Sequence, residues 1–284
     1  MARPEPLSFD LVVATVGRVA ELERFLGSLE RQTYRRFRVL VADQNPDRRL
    51  DDLLPGHSQL DVLHLRSEPG LSRARNRALA AIEADLVAFP DDDCVYPADV
   101  LERIARRFQE EPALEGLAGR AVRGDRRSTA SWKLDATLLT DTNLWNRAIS
   151  YTIFLRRELV ERVGSFDEQL GLGSGNPWSS GEEIDYLVRA LRGGAHIAYD
   201  PEVTVIHEPP ELSSSQLRAR GYRDGASLGY VLRKHRYSRR EIARRLARPI
   251  GGALLSLARL DLRQARFHTA TFRGRVAGLR ADAR

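Results

Sequence analysis

The chain has 284 residues, a formal net charge of +6 and one cysteine, Cys94. This length can bury a sizeable core, while one cysteine excludes an intramolecular disulfide framework. No apolar run reaches the roughly 18 residues of a membrane-crossing helix, and MARPEPLSFD lacks the order of a secretory signal, so a cytoplasmic protein is expected.

FDLVVAT (9–15) reads as a strand buried on both faces. A helix follows over 18–31, with Leu22, Phe25, Leu26 and Leu29 at helical spacing. FRVLVAD (37–43) and DVLHLRS (61–67) are the next strands; Ser72 can cap a helix to about Glu83, and ADLVAFP (84–90) is a fourth strand. Strands alternating with helices in this way predict a parallel sheet with crossover helices, with ligands at the carboxyl ends of the strands. A helix is expected from Pro97 to about Glu110, a strand over 148–157, and a short helix stopped by Gly164. GLGSGNPWSSG (171–181) is a Gly/Ser loop, and a helix restarts at GEEIDYLVRAL. AHIAYDPEVTVIHE (195–208) reads as two short strands around an Asp200-Pro201 turn. Pro209-Pro210 marks a boundary, which divides the chain into 1–210 and a basic, mainly helical extension, 211–284.

FPDDDCVYP (89–97) places three aspartates at the end of the fourth strand. Like charges this close repel, and a carboxylate is costly to bury unpaired. In an extended segment Asp91 and Asp93 would share a face and Asp92 take the other. Two convergent carboxylates suit a hard divalent cation; the bland alternative is a loop that caps the next helix. His207, at the end of VTVIH, is a further candidate ligand or an ordinary structural histidine.

The order of segments matters: DLVVATVGR, SLERQTYRRFRVLVAD, EPGLSRARNRAL, ADLVAFPDDD, VGSFDE, GEEIDYLVR, then a strand ending in His. Over residues 8–208 this resembles the family 2 glycosyltransferases. The resemblance implies a GT-A fold, an open, mostly parallel twisted sheet flanked by helices. It also implies inverting transfer of a sugar from a nucleotide-sugar to an acceptor hydroxyl, in glycan or polysaccharide biosynthesis. The aspartates match the family's DxD motif. By that match Asp91, Asp93 and His207 hold Mn²⁺ or Mg²⁺, the nitrogen ligand tilting toward Mn²⁺. Thr15, Asp43, Arg73, Asp91 and Asp92 then form the donor-binding set. Asp43 would accept the imide N–H of a uracil or thymine, favouring a UDP- or dTDP-sugar, with GDP left open.

Inversion in one displacement needs one carboxylate to take the acceptor proton. The family usually has Glu-Asp at that helix start, whereas this chain has Glu182-Glu183. Glu183 aligns with the base, and Glu182 stays the alternative, since Ser180-to-Glu183 and Ser179-to-Glu182 both have capping-box spacing. Trp178 and Asp185 are weaker candidates for the acceptor, a saccharide or a lipid-linked one.

Residues 211–284 hold 18 basic and 5 acidic residues, net +13; the remainder holds 27 and 34, net −7. The basic segment reads as a packed helical appendage, a surface for peripheral contact with an anionic membrane, or a pairing surface for a second chain. No aromatic-interleaved basic motif favours nucleic acid. Two other functions stay open. A sugar nucleotidyltransferase would place a Gly-rich loop after its first strand, where this chain has ATVGRVAEL. A binding protein without catalysis is favoured only by Glu182-Glu183.

Overall fold

The computed structural model describes residues 5–281, which form two compact units. The first comprises residues up to Pro69, Arg73–Phe166 and Tyr186–Pro209; the second comprises Gly70–Ser72, Asp167–Asp185 and the chain from Pro210.

The first unit is built on one open sheet. Its strands are β1 (Phe9–Thr15), β2 (Phe37–Asp43), β3 (Val62–Arg66), β4 (Leu86–Ala88), β5 (Cys94–Val95), β6 (Gly116–Val122), β7 (Thr137–Leu138), β8 (Ile153–Arg156) and β9 (Ile197–His207). The order is β3-β2-β1-β4-β8-β6-β9-β5, with β7 on β9. Pairing is parallel from β3 to β4, as crossover helices require. Antiparallel partners enter where β8 joins β4. The crossovers carry α1 (Val19–Leu29), the short α2 (Leu53–Gly56), α3 (Leu71–Leu79) and α4 (Val100–Glu110); α5 (Arg157–Val163) follows β8 and α6 (Glu182–Arg192) precedes β9.

Leu11 and Val13 of β1 pack with Leu22, Phe25 and Leu26 of α1 in one apolar core that also takes Ile104 and Phe108 of α4. Burying β1 on both faces also buries Asp10. Its carboxylate accepts two bonds from Arg38, at 2.9 and 3.0 Å, and the backbone N–H groups of Glu83 and Ala84. A charge at zero exposure is tolerated because Arg38 pairs with it and two backbone N–H groups add to the bonds it accepts.

Three of the expected elements differ from the structure, and α2, β5, β6 and β7 have no counterpart among the expectations. The chain over 197–207 is one continuous strand, not two. The Asp200-Pro201 irregularity is absorbed as a register shift against β6, between Ala118 and Arg120. Gly119 makes the shift feasible, since a Cβ there would lie 2.2 Å from the Val203 carbonyl oxygen. The helix after Gly70 ends at Leu79, not near Glu83, and Ser72 is no cap: its hydroxyl donates to the Leu170 carbonyl at 2.8 Å. The strand expected over 148–157 is confined to Ile153–Arg156, behind a 3-10 turn at Ser150–Thr152. Gly164 stops α5 at φ 80, a conformation that favours glycine.

In the second unit the main helices are α7 (Ser214–Lys234), α8 (Arg239–Ala258) and α9 (Leu262–Arg280). Ser213 closes a capping box with Gln216 at the start of α7. Gly221, Gly225 and Gly229 of α7 face α9, and Gly274 and Gly278 of α9 face α7. A Cβ on any of these five would fall between 2.0 and 2.7 Å from an atom of the other helix. The two backbones are therefore in direct contact, a packing open only to residues without side chains.

Candidate active site

The carboxyl end of β1 and the end of β9 bring the aspartates to their partners. Asp91 bridges to Ala14 at the end of β1, and Cys94 in β5 pairs with His207, the last residue of β9. Between them the chain turns, with Cys94 N–H donating to the Asp91 carbonyl at 3.3 Å. Strand alternation therefore does not apply. Asp92 and Asp93 share one partner, Arg18, at 3.0 and 2.6 Å. Asp91 turns to Arg75 and the Ser150 hydroxyl, at 3.3 and 3.2 Å.

Each carboxylate has its own electrostatics. Asp92 is buried and accepts the Thr15 hydroxyl at 2.7 Å. Burial pushes its carboxyl up to about 6, against the opposing pull of Thr15 and Arg18. Asp93 is less enclosed. Burial acts upward there too, but His207 and Arg18 together outweigh it and hold Asp93 below the usual carboxylate range. His207 Nε2 lies 3.2 Å from Asp93, and its ring stacks on Tyr151 at 4.9 Å. An imidazole and a carboxylate side by side are a fitting donor pair for a hard or borderline divalent cation. Among the described residues no three His, Cys, Asp or Glu side chains are gathered closely enough to hold a metal ion by themselves. The Arg18 guanidinium supplies positive charge to the turn.

Asp43 ends β2 and is buried. One oxygen accepts the Asn45 backbone and side-chain N–H groups, at 2.9 and 2.7 Å; the other meets Arg66 at 2.7 Å and His64 at 2.9 Å. Beside it lies an open cleft of about 810 Å³, lined by Asn45, Arg66, Arg73 and Arg77 among others. Three guanidiniums, Arg66 at the end of β3 and Arg73 and Arg77 on α3, suit an anionic ligand. Arg73 is exposed and donates to the Pro69 carbonyl. Arg75 and Asn76, two and three residues on, both point inward. Arg75 lies over the rings of Phe89 and Phe166, and Asn76 clamps the Phe166 backbone with bonds of 3.0 and 2.7 Å.

The second unit holds the remaining candidates. Glu182 is 4% exposed, against the loop at Gly171, while Glu183 is half-buried. The Ser180 hydroxyl bonds Ser227 and Asp224, at 2.9 and 3.3 Å. Asp185 has no exposure: its carboxylate meets Lys234 at 2.7 Å and His235 at 2.8 Å. Lys234 also binds Asp167 at 2.7 Å. Trp178 stacks on Tyr230 at 4.8 Å and 8°.

Arg18, Ser150, Tyr151, Arg66 and Arg77 were not singled out in the sequence. Arg18, directly after Gly17 at the end of the first strand, carried the one available signal: ligand-facing loops follow such strands. Ser150 and Tyr151 reach the turn only through a 3-10 turn without a sequence signature.

The sequence profile of glycosyl transferase family 2 matches residues 10–164. The succinoglycan biosynthesis protein ExoM of Rhizobium meliloti is 30% identical over 252 residues, 84% of this chain and 79% of its own. The pre-mycofactocin glycosyltransferase of Mycobacterium tuberculosis H37Rv is 29% identical over 73% of this chain. The chain spans 45% of that relative's length. Among solved structures, the mannosyltransferase PcManGT of Pyrobaculum calidifontis, in complex with GDP-Man and Mn²⁺, superposes with a TM-score of 0.64 at 16% identity, covering 98% of this chain and 89% of its own. S. aureus TarS 1-349 in complex with UDP gives 0.58 at 20% identity, covering 82% and 73%. The open α/β sheet flanked by helices is shared with these glycosyltransferase structures, and this chain belongs to glycosyl transferase family 2.

Proposed function

We propose that the chain transfers a sugar from a nucleotide-sugar to an acceptor hydroxyl, with inversion, in assembly of a glycan or glycoconjugate. The observation that carries this reading is the Asp91–Asp93 turn, joined to Thr15, Arg18 and His207 at the carboxyl ends of β1 and β9. The arginine-lined cleft beside Asp43 supports a nucleoside diphosphate as ligand. Solved relatives of the same fold bind UDP or GDP-Man. Asp43 is fully engaged by Asn45, His64 and Arg66, so uracil, thymine and guanine all stay open as the base.

Asp93 and His207 are the residues we assign to a divalent cation, Mn²⁺ or Mg²⁺, with Asp91 and Asp92 on the donor side. A bound cation would stabilise the charge that develops on the departing diphosphate. Arg18 offsets the charge of Asp92 and Asp93, and Thr15 fixes the Asp92 carboxyl. Glu183 takes the acceptor proton as base; its half-buried carboxylate, against the enclosed Glu182, supports that choice. The acceptor is a saccharide or a lipid-linked one, and the protein works peripherally at the inner face of a membrane. No helix among the described residues is long and apolar enough to cross one.

Calorimetric titration of UDP, dTDP, GDP and CDP, with and without Mn²⁺, tests the reading. One nucleotide should bind tightly, and that binding should need both Mn²⁺ and Asp93. If no nucleotide binds, the transferase reading fails.

A further inference from the structure

α7 and α9 run parallel, since Gly221, Gly225 and Gly229 of α7 meet Phe267, Thr271 and Arg275 of α9 in turn. Beside this close contact the side chains stand apart around a groove of about 570 Å³. Ser215, Arg218, Ala219 and Tyr222 of α7 line one wall, and Arg266, Thr269, Ala270 and Arg273 of α9 the other. Each set follows i, i+3, i+4 and i+7, the spacing of one helix face. α8 packs on another side of α9, where Gly252 meets His268, and leaves this groove uncovered.

Charge in the groove is unbalanced. α7 and α9 carry five basic residues each and a single acidic one between them, Asp224. Asp224 is taken by Arg220 and Arg223, and Arg263 by the Leu212 carbonyl. Arg218, Arg266 and Arg273 have no ion pair or hydrogen bond among the described residues, and no carboxylate lines the groove. The Tyr222 hydroxyl is likewise without a bond among the described residues. Three uncompensated guanidiniums around one concavity call for a ligand of more than one negative charge. A phosphate carries up to about two charges, and its oxygens match the guanidinium fork pairwise. Between the arginines the wall is apolar: Ala219, Ala270 and the exposed ring of Tyr222 suit the organic part of such a ligand.

We propose that the α7–α9 groove is a binding site for a phosphate ester. Arg218, Arg266 and Arg273 take the phosphate oxygens, the Tyr222 hydroxyl donates to one of them, and the organic part lies on Ala219 and Ala270. A soluble phosphate ester and a lipid headgroup share this chemistry. The site belongs wholly to the second unit, and none of its residues is assigned to donor, cation or base. It therefore stands or falls independently of the transferase reading.

The test is calorimetric titration of the full chain, without Mn²⁺, with glycerol phosphate, with monomeric dihexanoyl phosphatidate, and with acetate. At least one of the two esters should bind, and at least about tenfold more tightly than acetate. The tighter of the two identifies the source as soluble or lipid. Arg266→Ala/Arg273→Ala should weaken that binding by at least about tenfold, and Arg218→Ala, on the other helix, should weaken it too. Arg73→Ala/Arg77→Ala, in the cleft beside Asp43, should bind as the parent chain does. Helical circular dichroism, unchanged in the variants, would show that they fold. No binding, acetate binding as tight as that of the esters, or groove variants that bind like the parent, each overturns the proposal. Loss confined to Arg73→Ala/Arg77→Ala also overturns it, by placing the phosphate in the donor cleft.

Discussion

Asp91, Asp92 and Asp93 are adjacent in the chain, yet their surroundings differ. Asp92 is buried against Thr15, Asp93 is held low by His207 and Arg18, and Asp91 is turned to Arg75. Their substitutions should therefore separate. Asp93→Ala should abolish the Mn²⁺ dependence of nucleotide binding, read by calorimetry, because it removes the carboxylate next to His207. Glu183→Gln should cut turnover by about a hundredfold or more, with nucleotide affinity unchanged. If Glu182→Gln instead carries that loss, Glu182 is the base. Asp10→Ala should lower stability by about 3 kcal/mol in denaturant unfolding, since Arg38 and two backbone N–H groups would lose their acceptor.

At the scale of elements, two devices rest on missing side chains. The β6–β9 register shift needs Gly119, and the α7–α9 contact needs five glycines. Gly274→Ala would place a Cβ 2.0 Å from the Tyr222 carbonyl oxygen. It should destabilise the helical unit by about 2 kcal/mol, measured as an earlier loss of helical circular dichroism on heating. The α8–α9 pair carries a pH dependence. Burial first, and Arg275 second, hold the His268 imidazole below its ordinary 6.5. The folded chain then binds fewer protons than the unfolded one, so this contribution to stability is present above pH 6.5 and is lost as pH falls below it. His268→Gln should flatten that part of the stability profile.

At the scale of the whole molecule, charge separates along the chain, net −7 before residue 211 and net +13 from there on. The acidic part contains the aspartate turn and the basic part contains α7, α8 and α9. The first four strands, the crossover helices between them and the turn's place at a strand end were legible because buried strands must be apolar and ligand loops must follow them; β6 and the order of the strands were not. The turn's link to His207 was legible as a motif, though only as a resemblance. What stayed hidden was every feature that depends on non-local distance. The bulge that keeps β9 continuous needs Val203 opposite Gly119, and nothing in AYDPEV signals it. The glycines at 221, 225 and 229 look like helix breakers until a second helix with its own glycines is laid against them. Arg18 looks like the start of a helix until Asp92 and Asp93 arrive from 74 and 75 residues away. By itself the sequence determined the first four strands, most of the helices and the chemical types of the candidate residues, because periodicity and residue chemistry are local. Only the tertiary structure decided which carboxylate meets which cation, because those pairings depend on distances that chain closure creates.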